Sequence, residues 1–158
     1  MAGDRDRIGL GHAIEQARIG RDEGGVPIGA ALIAGDGTVL GIGHNRRVQD
    51  GSAIRHGETD ALEDAGRLPA SVYRRSTMYT TLSPCDMCTG AILLYGIPRV
   101  VMGENRTFVG AEDHLRARGV EVINLDAAEC VALMDEFIAE HPEIWFEDIG
   151  DEPDGARS

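Results

Sequence analysis

Residues 56–58 read His-Gly-Glu and residues 83–88 read Ser-Pro-Cys-Asp-Met-Cys. Together the two stretches supply an imidazole at His56, thiols at Cys85 and Cys88, and a carboxylate at Glu58, with one residue between it and the imidazole. Three such donors leave a tetrahedral zinc ion with one open position, which catalytic zinc keeps and structural zinc fills. Glu58 is poorly placed to ligate beside His56 and well placed to reach a water at that position. Zinc would carry this water to hydroxide near neutral pH, making it the nucleophile. Glu58 would shuttle the proton, first as general base and then as general acid toward a leaving amine. Such a set suits hydrolytic attack on an amidine-like carbon with loss of ammonia.

Other chemistries use parts of this set. A structural zinc site needs a fourth protein ligand, and the sequence holds no second Cys pair. His12, His114 and His141 lack neighbouring donors; His44 is near enough in sequence to stay open as a fourth ligand. Thioredoxin-like exchange would also place a Cys pair after a strand. It leaves Pro84 and the His56-Gly57-Glu58 run unexplained. Cys130, in an apolar stretch, reads as a small buried hydrophobe.

The elements that must position these groups follow from periodicity. Arg5 to Asp22 carries Ile8, Ala13, Ile14, Ala17 and Ile19 at near-helical spacing, predicting an amphipathic helix that Gly24-Gly25 stops. Ile28 to Ala34 and Thr38 to Gly43 are apolar runs around Gly35-Asp36-Gly37, a hairpin signal. Gly57 to Ala65 reads as a helix ended by Gly66, with His56 at its start. Thr77 to Leu82 reads as a strand, after which Ser83 caps a helix with Pro84 at its first position, running to Gly96. Cys85 and Cys88 then share one face near that helix's N-terminus, where free N–H groups and the dipole favour thiolates. Arg99 to Met102 and Val120 to Asn124 read as short buried strands bracketing a brief helix at Glu112 to Arg118. Asp126 caps a further helix, His141-Pro142 ends it, and Ile144-Trp145-Phe146 starts one last turn. The alternation predicts an α/β fold of three layers, α/β/α, with about five strands in a mixed sheet between helices.

The chain has 158 residues, 42% hydrophobic and 27% charged, within the range of a single globular domain. No apolar run reaches the length of a membrane span, and the start lacks a signal-peptide core, so a cytoplasmic location is expected. The formal net charge of −12 opposes binding to phosphate backbones, favouring a small free substrate over nucleic acid. Three cysteines are too few for a disulfide framework and suit a reducing compartment.

At these residues the chain resembles the cytidine/deoxycytidylate deaminase superfamily, and within it the fungal (yeast) cytosine deaminases. The likeness runs nearly end to end: residues 23–29, Gly43-His44-Asn45, His56-Gly57-Glu58, Thr80 through Ala91, Gly96-Ile97-Pro98-Arg99, Gly103-Glu104-Asn105 and residues 145–150. The resemblance implies a cytidine deaminase-like fold and a homodimer; the charge and the lack of an apolar span speak against nucleic acid and membrane as partners. Zn2+ would be held by His56, Cys85 and Cys88, with Glu58 as proton shuttle. It places Asn45, the Gly57 N–H and the Ser83 carbonyl on the polar edge of a nucleobase, and Ile28, Phe108 and Trp145 around its ring. Asp148 would accept a substrate N–H, and Ile149 would help close an active-site lid of which residues 146–150 are part. Residues 1–150 would form one zinc-dependent deaminase domain, with 151–158 a disordered tail. The implied reaction is hydrolysis of free cytosine to uracil and ammonia in pyrimidine salvage. Alternatives are another aminated heterocycle (creatinine, isocytosine, guanine or an aminotriazine such as ammeline), a tRNA-editing deaminase, or a non-catalytic zinc module. One departure stands out. After Glu58 the chain reads Thr59-Asp60-Ala61, where the fungal enzymes carry an Ile-Ser-Thr-type run.

Overall fold

A computed structural model of the chain describes residues 3–152. Helix α1 (Asp4–Asp22) leads into the hairpin β1 (Gly29–Ala34) and β2 (Val39–His44), then α2 (Arg47–Asp50), α3 (Gly57–Ala65) and α4 (Ala70–Tyr73). Next come β3 (Ser76–Leu82), α5 (Asp86–Leu94), β4 (Arg99–Glu104), α6 (Glu112–Ala117), β5 (Glu121–Asn124), α7 (Ala128–Glu140) and α8 (Pro142–Asp148). The sheet order is β2-β1-β3-β4-β5. β1 is antiparallel to both neighbours, and β3, β4 and β5 run parallel, giving the expected mixed sheet.

Side chains of a strand alternate between its two faces, and here both faces are covered. Ala30, Leu32, Met78 and Val100 point to one side, where they meet Ala61 of α3, Ile92 of α5 and Leu115 of α6. Ala31, Ile33, Tyr79 and Val101 point to the other, against Leu10 and Ala13 of α1. A third cluster, Val26, Ile28, Leu82, Met134, Phe137 and Trp145, fastens α7 and α8 beside the end of β3. The three-layer arrangement follows from this division.

Helix α3 lies unusually close to β2, because side chains at Gly41 and Gly43 would collide with its backbone near Ala61 and Ala65. Cys130 is 2% exposed against Gly103, and burial pushes its thiol up to about 12, an inert small hydrophobe as expected.

Several local expectations need correction. The buried stripe of α1 runs through Gly9, Leu10, Ala13, Ala17 and Gly20, leaving Ile8 exposed. Small residues win that face because α1 rests on the backbone of β1. Ser83 does not cap α5; Cys85 does, since the Ser83 hydroxyl is engaged by Glu112 at 2.6 Å. Asp126 adopts a left-handed backbone and pairs with Arg106, so α7 starts two residues later, after Ala127. β5 is an edge strand and only half buried. Of the expected tail, residues 153–158 lie outside the described residues, while the Asp151 N–H donates to the Phe146 carbonyl at 2.8 Å.

At the end of the sheet away from the Cys pair, buried Asp6 receives both guanidinium nitrogens of Arg99 (2.6 and 2.7 Å) and the Tyr79 hydroxyl (3.0 Å). The Arg99 hydrogen bonds, against burial, hold the Asp6 carboxyl below its ordinary value of 3.8. A depressed carboxyl contributes stability that is complete above the ordinary value and is lost as pH falls through the folded-state value. Asp6→Asn is therefore expected to cost about 2 kcal/mol at neutral pH, the scale of hydrogen bonds to charged groups. The gap from the parent should close on acidification. Chemical denaturation across pH checks this, and a gap that does not narrow in acid would contradict it.

Candidate active site

The site forms where β3 ends and β1 begins. His56 is the N-cap of α3 and Cys85 the N-cap of α5, so two helix N-termini face one point. The His56 N–H donates to the Thr59 hydroxyl at 2.9 Å, which fixes the entry of the chain into α3. His56 Nδ1 lies 3.5 Å from Cys85 Sγ and 3.7 Å from Cys88 Sγ. A tetrahedral zinc ion at ordinary Zn–N and Zn–S lengths separates nitrogen from sulfur by about 3.5 Å, so the trio fits zinc. Among the described residues, these three form the cluster of His, Cys, Asp or Glu able to hold a metal.

The expectation left open for His44 is answered by its partners. Its ring nitrogens meet Gln16 Oε1 at 2.9 Å and Glu23 Oε1 at 2.7 Å, away from the sulfurs. The remaining nitrogen of His56, Nε2, lies 3.3 Å from Asp148 Oδ1, an ion-pair distance without hydrogen-bond geometry. A carboxylate behind a ligating histidine fixes its tautomer and raises its basicity.

Charge in this corner is strongly coupled. A hydrogen bond from Cys88, helped by His56 and opposed by burial, brings the Cys85 thiol down to about 4. The same hydrogen bond, together with burial, pushes Cys88 well up. Burial works against a charged His56, but Asp148 and Cys85 outweigh it and hold the imidazole up to about 10. Glu58 is 3% exposed; burial first, then the Cys85 charge, raises its carboxyl above 4.5. A carboxyl so placed can carry a proton between partners, as a shuttle must.

Around these groups lies a cavity of about 20 Å3 walled by Ile28, His56, Glu58, Leu82, Ser83, Cys85, Phe108, Trp145, Asp148 and Ile149. That is room for about one water and not for a flat ring. Phe108 and Trp145 meet edge to face, with centroids 6.1 Å apart and planes at 84°, so they form two walls rather than a parallel sandwich. Of the expected substrate contacts, Asn45 and Gly57 do not line this cavity. Asn45 is fully buried behind Asp148, donating from Nδ2 to both carboxylate oxygens (3.2 and 3.1 Å) and accepting the Arg47 N–H at 3.0 Å. Gly57 is pressed against Gly29 and the Ile28 carbonyl.

Two groups escaped sequence reasoning. Arg47 Nε donates to Asp148 Oδ1 at 2.7 Å and its NH1 reaches Glu147 Oε2 at 3.2 Å, tying the end of α8 over the cavity. Glu112 accepts the Ser83 hydroxyl, which in turn accepts the Gly110 N–H at 2.9 Å, so the loop bearing Phe108 is anchored to the start of the Cys segment. No local pattern marks either residue; the partners lie 101 and 29 positions apart.

Residues 5–104 match the cytidine and deoxycytidylate deaminase zinc-binding region. The chain belongs to that family. A cytosine deaminase of Candida albicans is 59% identical over 146 residues, spanning 92% of this chain and 97% of that one. A tRNA-specific adenosine deaminase of Streptococcus pyogenes is 33% identical over 136 residues, 79% of this chain and 84% of that one. A solved guanine deaminase from Nitrosomonas europaea superposes with a TM-score of 0.69 at 25% identity, over 88% of this chain and 86% of its own. The family's zinc requirement and the His56–Cys85–Cys88 geometry agree, and the protein is a zinc-dependent deaminase acting on C–N bonds.

Glu58→Gln is expected to retain zinc and lose roughly a hundredfold or more in kcat, the scale of general acid–base catalysis. Cys88→Ser is expected to lose the metal. Atomic absorption and an ammonia-release assay measure the two effects, and a parent-like rate in Glu58→Gln would remove that carboxyl from the chemistry.

Proposed function

We propose that this protein hydrolyses free cytosine to uracil and ammonia. The observation that carries the substrate is the 59% identity that extends over nearly the whole of both chains to a cytosine deaminase. Bound zinc would supply an acidified water at the site. Glu58 takes the first proton of that water to a ring nitrogen, then takes the remaining proton from the added hydroxyl to the departing amine. Asp148, held in its anionic form by His56, Arg47 and Asn45 against the effect of burial, offers an acceptor to a ring N–H. The Gly57 N–H, the Asn45 amide and the Ser83 carbonyl are assigned to the polar edge of the base. Ile28, Phe108 and Trp145 enclose its faces, and Ile149 closes the lid formed by residues 146–150.

A C-terminal segment folded over the base would leave no room for a ribose, which favours a free base over a nucleoside. Trp145, Asp148 and Ile149 wall the cavity from that segment. Admission of any ring requires α8 to move, which suggests that release of product contributes to turnover. Residues 1–150 are read as one deaminase domain in the cytoplasm; among the described residues no helix is long and apolar enough to cross a membrane.

Zinc-loaded protein offered cytosine, isocytosine, creatinine, guanine, ammeline and tRNA in parallel is expected to release ammonia from cytosine fastest and to form uracil. A gel shift with tRNA should show no complex, given the net charge of −12. Cytosine left intact while another heterocycle is consumed would overturn the substrate assignment.

We also assign a second copy of the chain as partner. Ile54, Leu94 and Tyr95 are 66%, 75% and 42% exposed beside an open groove between α3 and α5 lined by Leu62, Leu68 and Tyr73. Exposed apolar surface of that kind calls for a cover. Sedimentation equilibrium is expected to give twice the mass of one chain, and Leu94→Glu to give one; a monomeric parent would contradict the assignment.

A further inference from the structure

Asp60 is neither a metal ligand nor a cavity wall, yet it is 3% exposed and fully engaged. Its Oδ2 accepts the backbone N–H of His44 at 3.0 Å and Arg46 Nε at 3.0 Å. Its Oδ1 accepts a guanidinium N–H of Arg55 at 2.6 Å. His44 and Arg46 are the two neighbours of Asn45, and Arg55 is the residue before His56. Between these points residues 46–55 leave the sheet edge and return, and the Arg46 N–H donates to the Arg55 carbonyl at 2.9 Å across the neck of the excursion. A single carboxylate therefore grips both arms of the loop where each enters the active site.

The two arms carry different groups. The first carries Asn45, whose amide holds both oxygens of Asp148. The second carries His56, whose Nδ1 faces the sulfurs and whose Nε2 faces that same Asp148. Asp148 meets Asn45 and His56 together at the width the neck has here. The close approach of α3 to Gly41 and Gly43 brings Asp60 within reach of β2, and Arg46 and Arg55 supply two cations to one buried anion. Removing either arginine leaves the buried carboxylate with one cation fewer, while the arginines themselves, 29% and 40% exposed, keep contact with solvent.

We propose that Asp60 is a positioning residue that, through Arg46 and Arg55, sets the separation of Asn45 and His56, so that substrate affinity and metal retention depend on the same carboxylate. The substrate half rests on the cytosine reading above; the metal half does not. Asp64, one turn along α3, provides the control. It accepts the Ile42 N–H at 2.9 Å, a β2–α3 hydrogen bond of the same kind, and is exposed and remote from the neck.

Asp60→Ala and Asp60→Asn are compared with Asp64→Ala and the parent by thermal unfolding, by zinc transfer to a chromogenic chelator, and by steady-state kinetics on cytosine. Asp60→Ala is expected to speed zinc loss and to raise KM each by about tenfold, the scale of changes behind a metal ligand. Asp60→Asn should shift both in the same direction by less, with faster hydrogen exchange over residues 45–56. Asp64→Ala should lower Tm and change neither zinc loss nor KM. If Asp60→Ala does not fold, Asp60→Asn decides. A fall in Tm with parent-like zinc release and KM in Asp60→Asn would overturn the proposal. A parent inactive on cytosine would sink the substrate reading, while zinc release would still judge the role of Asp60.

Discussion

His56 Nδ1 stands within 3.7 Å of both thiol sulfurs because α3 and α5 begin at the same corner of the sheet, and this meeting of helix ends constrains the rest of the structure. Each helix brings unpaired N–H groups and the positive end of its dipole, which favour the Cys85 thiolate before any cation arrives. The hydrogen bond to Cys85 and burial work against ionising Cys88, and burial works against ionising Glu58. The sheet must then deliver two chain segments there at once. β3 does so directly, running from Leu82 into the Cys segment. The other route, from β2 through the loop to His56, is longer and needs fastening. Much of the buried polar chemistry lies along that second route.

Asp148 belongs to the same logic from the other side. It sits at the end of the last described helix, far along the chain from Asn45, Arg47 and His56, and contacts all three. The contacts that hold the end of α8 and those that complete the histidine's surroundings therefore meet on one carboxylate. The hydrophobic cluster of Phe137, Met134 and Trp145 brings α8 to the right place; the carboxylate sets the final register.

His56, Cys85 and Cys88 were legible in the sequence as a metal-holding trio because their chemistry is local: two helix starts, each with its donors within a few positions. The hairpin and α3 were legible for the same reason, Gly35-Asp36-Gly37 and Gly66 being turn and stop signals that act over a few residues. The caps of α5 and α7 were misread where a tertiary partner claimed the capping side chain, Glu112 taking Ser83 and Arg106 taking Asp126. Arg47, Arg46, Arg55 and Glu112 carry no local signature at all, since what defines them is a buried acid or hydroxyl at another place in the fold. Asn45 was expected on the edge of the substrate; the structure puts its amide on Asp148, a contact 103 positions distant that no local pattern announces.

The size of the inner cavity also bears on what the enzyme ignores. At about 20 Å3 it is smaller than a flat ring, and Trp145, Asp148 and Ile149 make up part of its wall. On the proposed reading, in which α8 moves to admit the base, discrimination begins as mechanical work against a latch of Arg47 and Asp148. A molecule that offers little in return for lifting that latch is turned away at the threshold, whatever its leaving group.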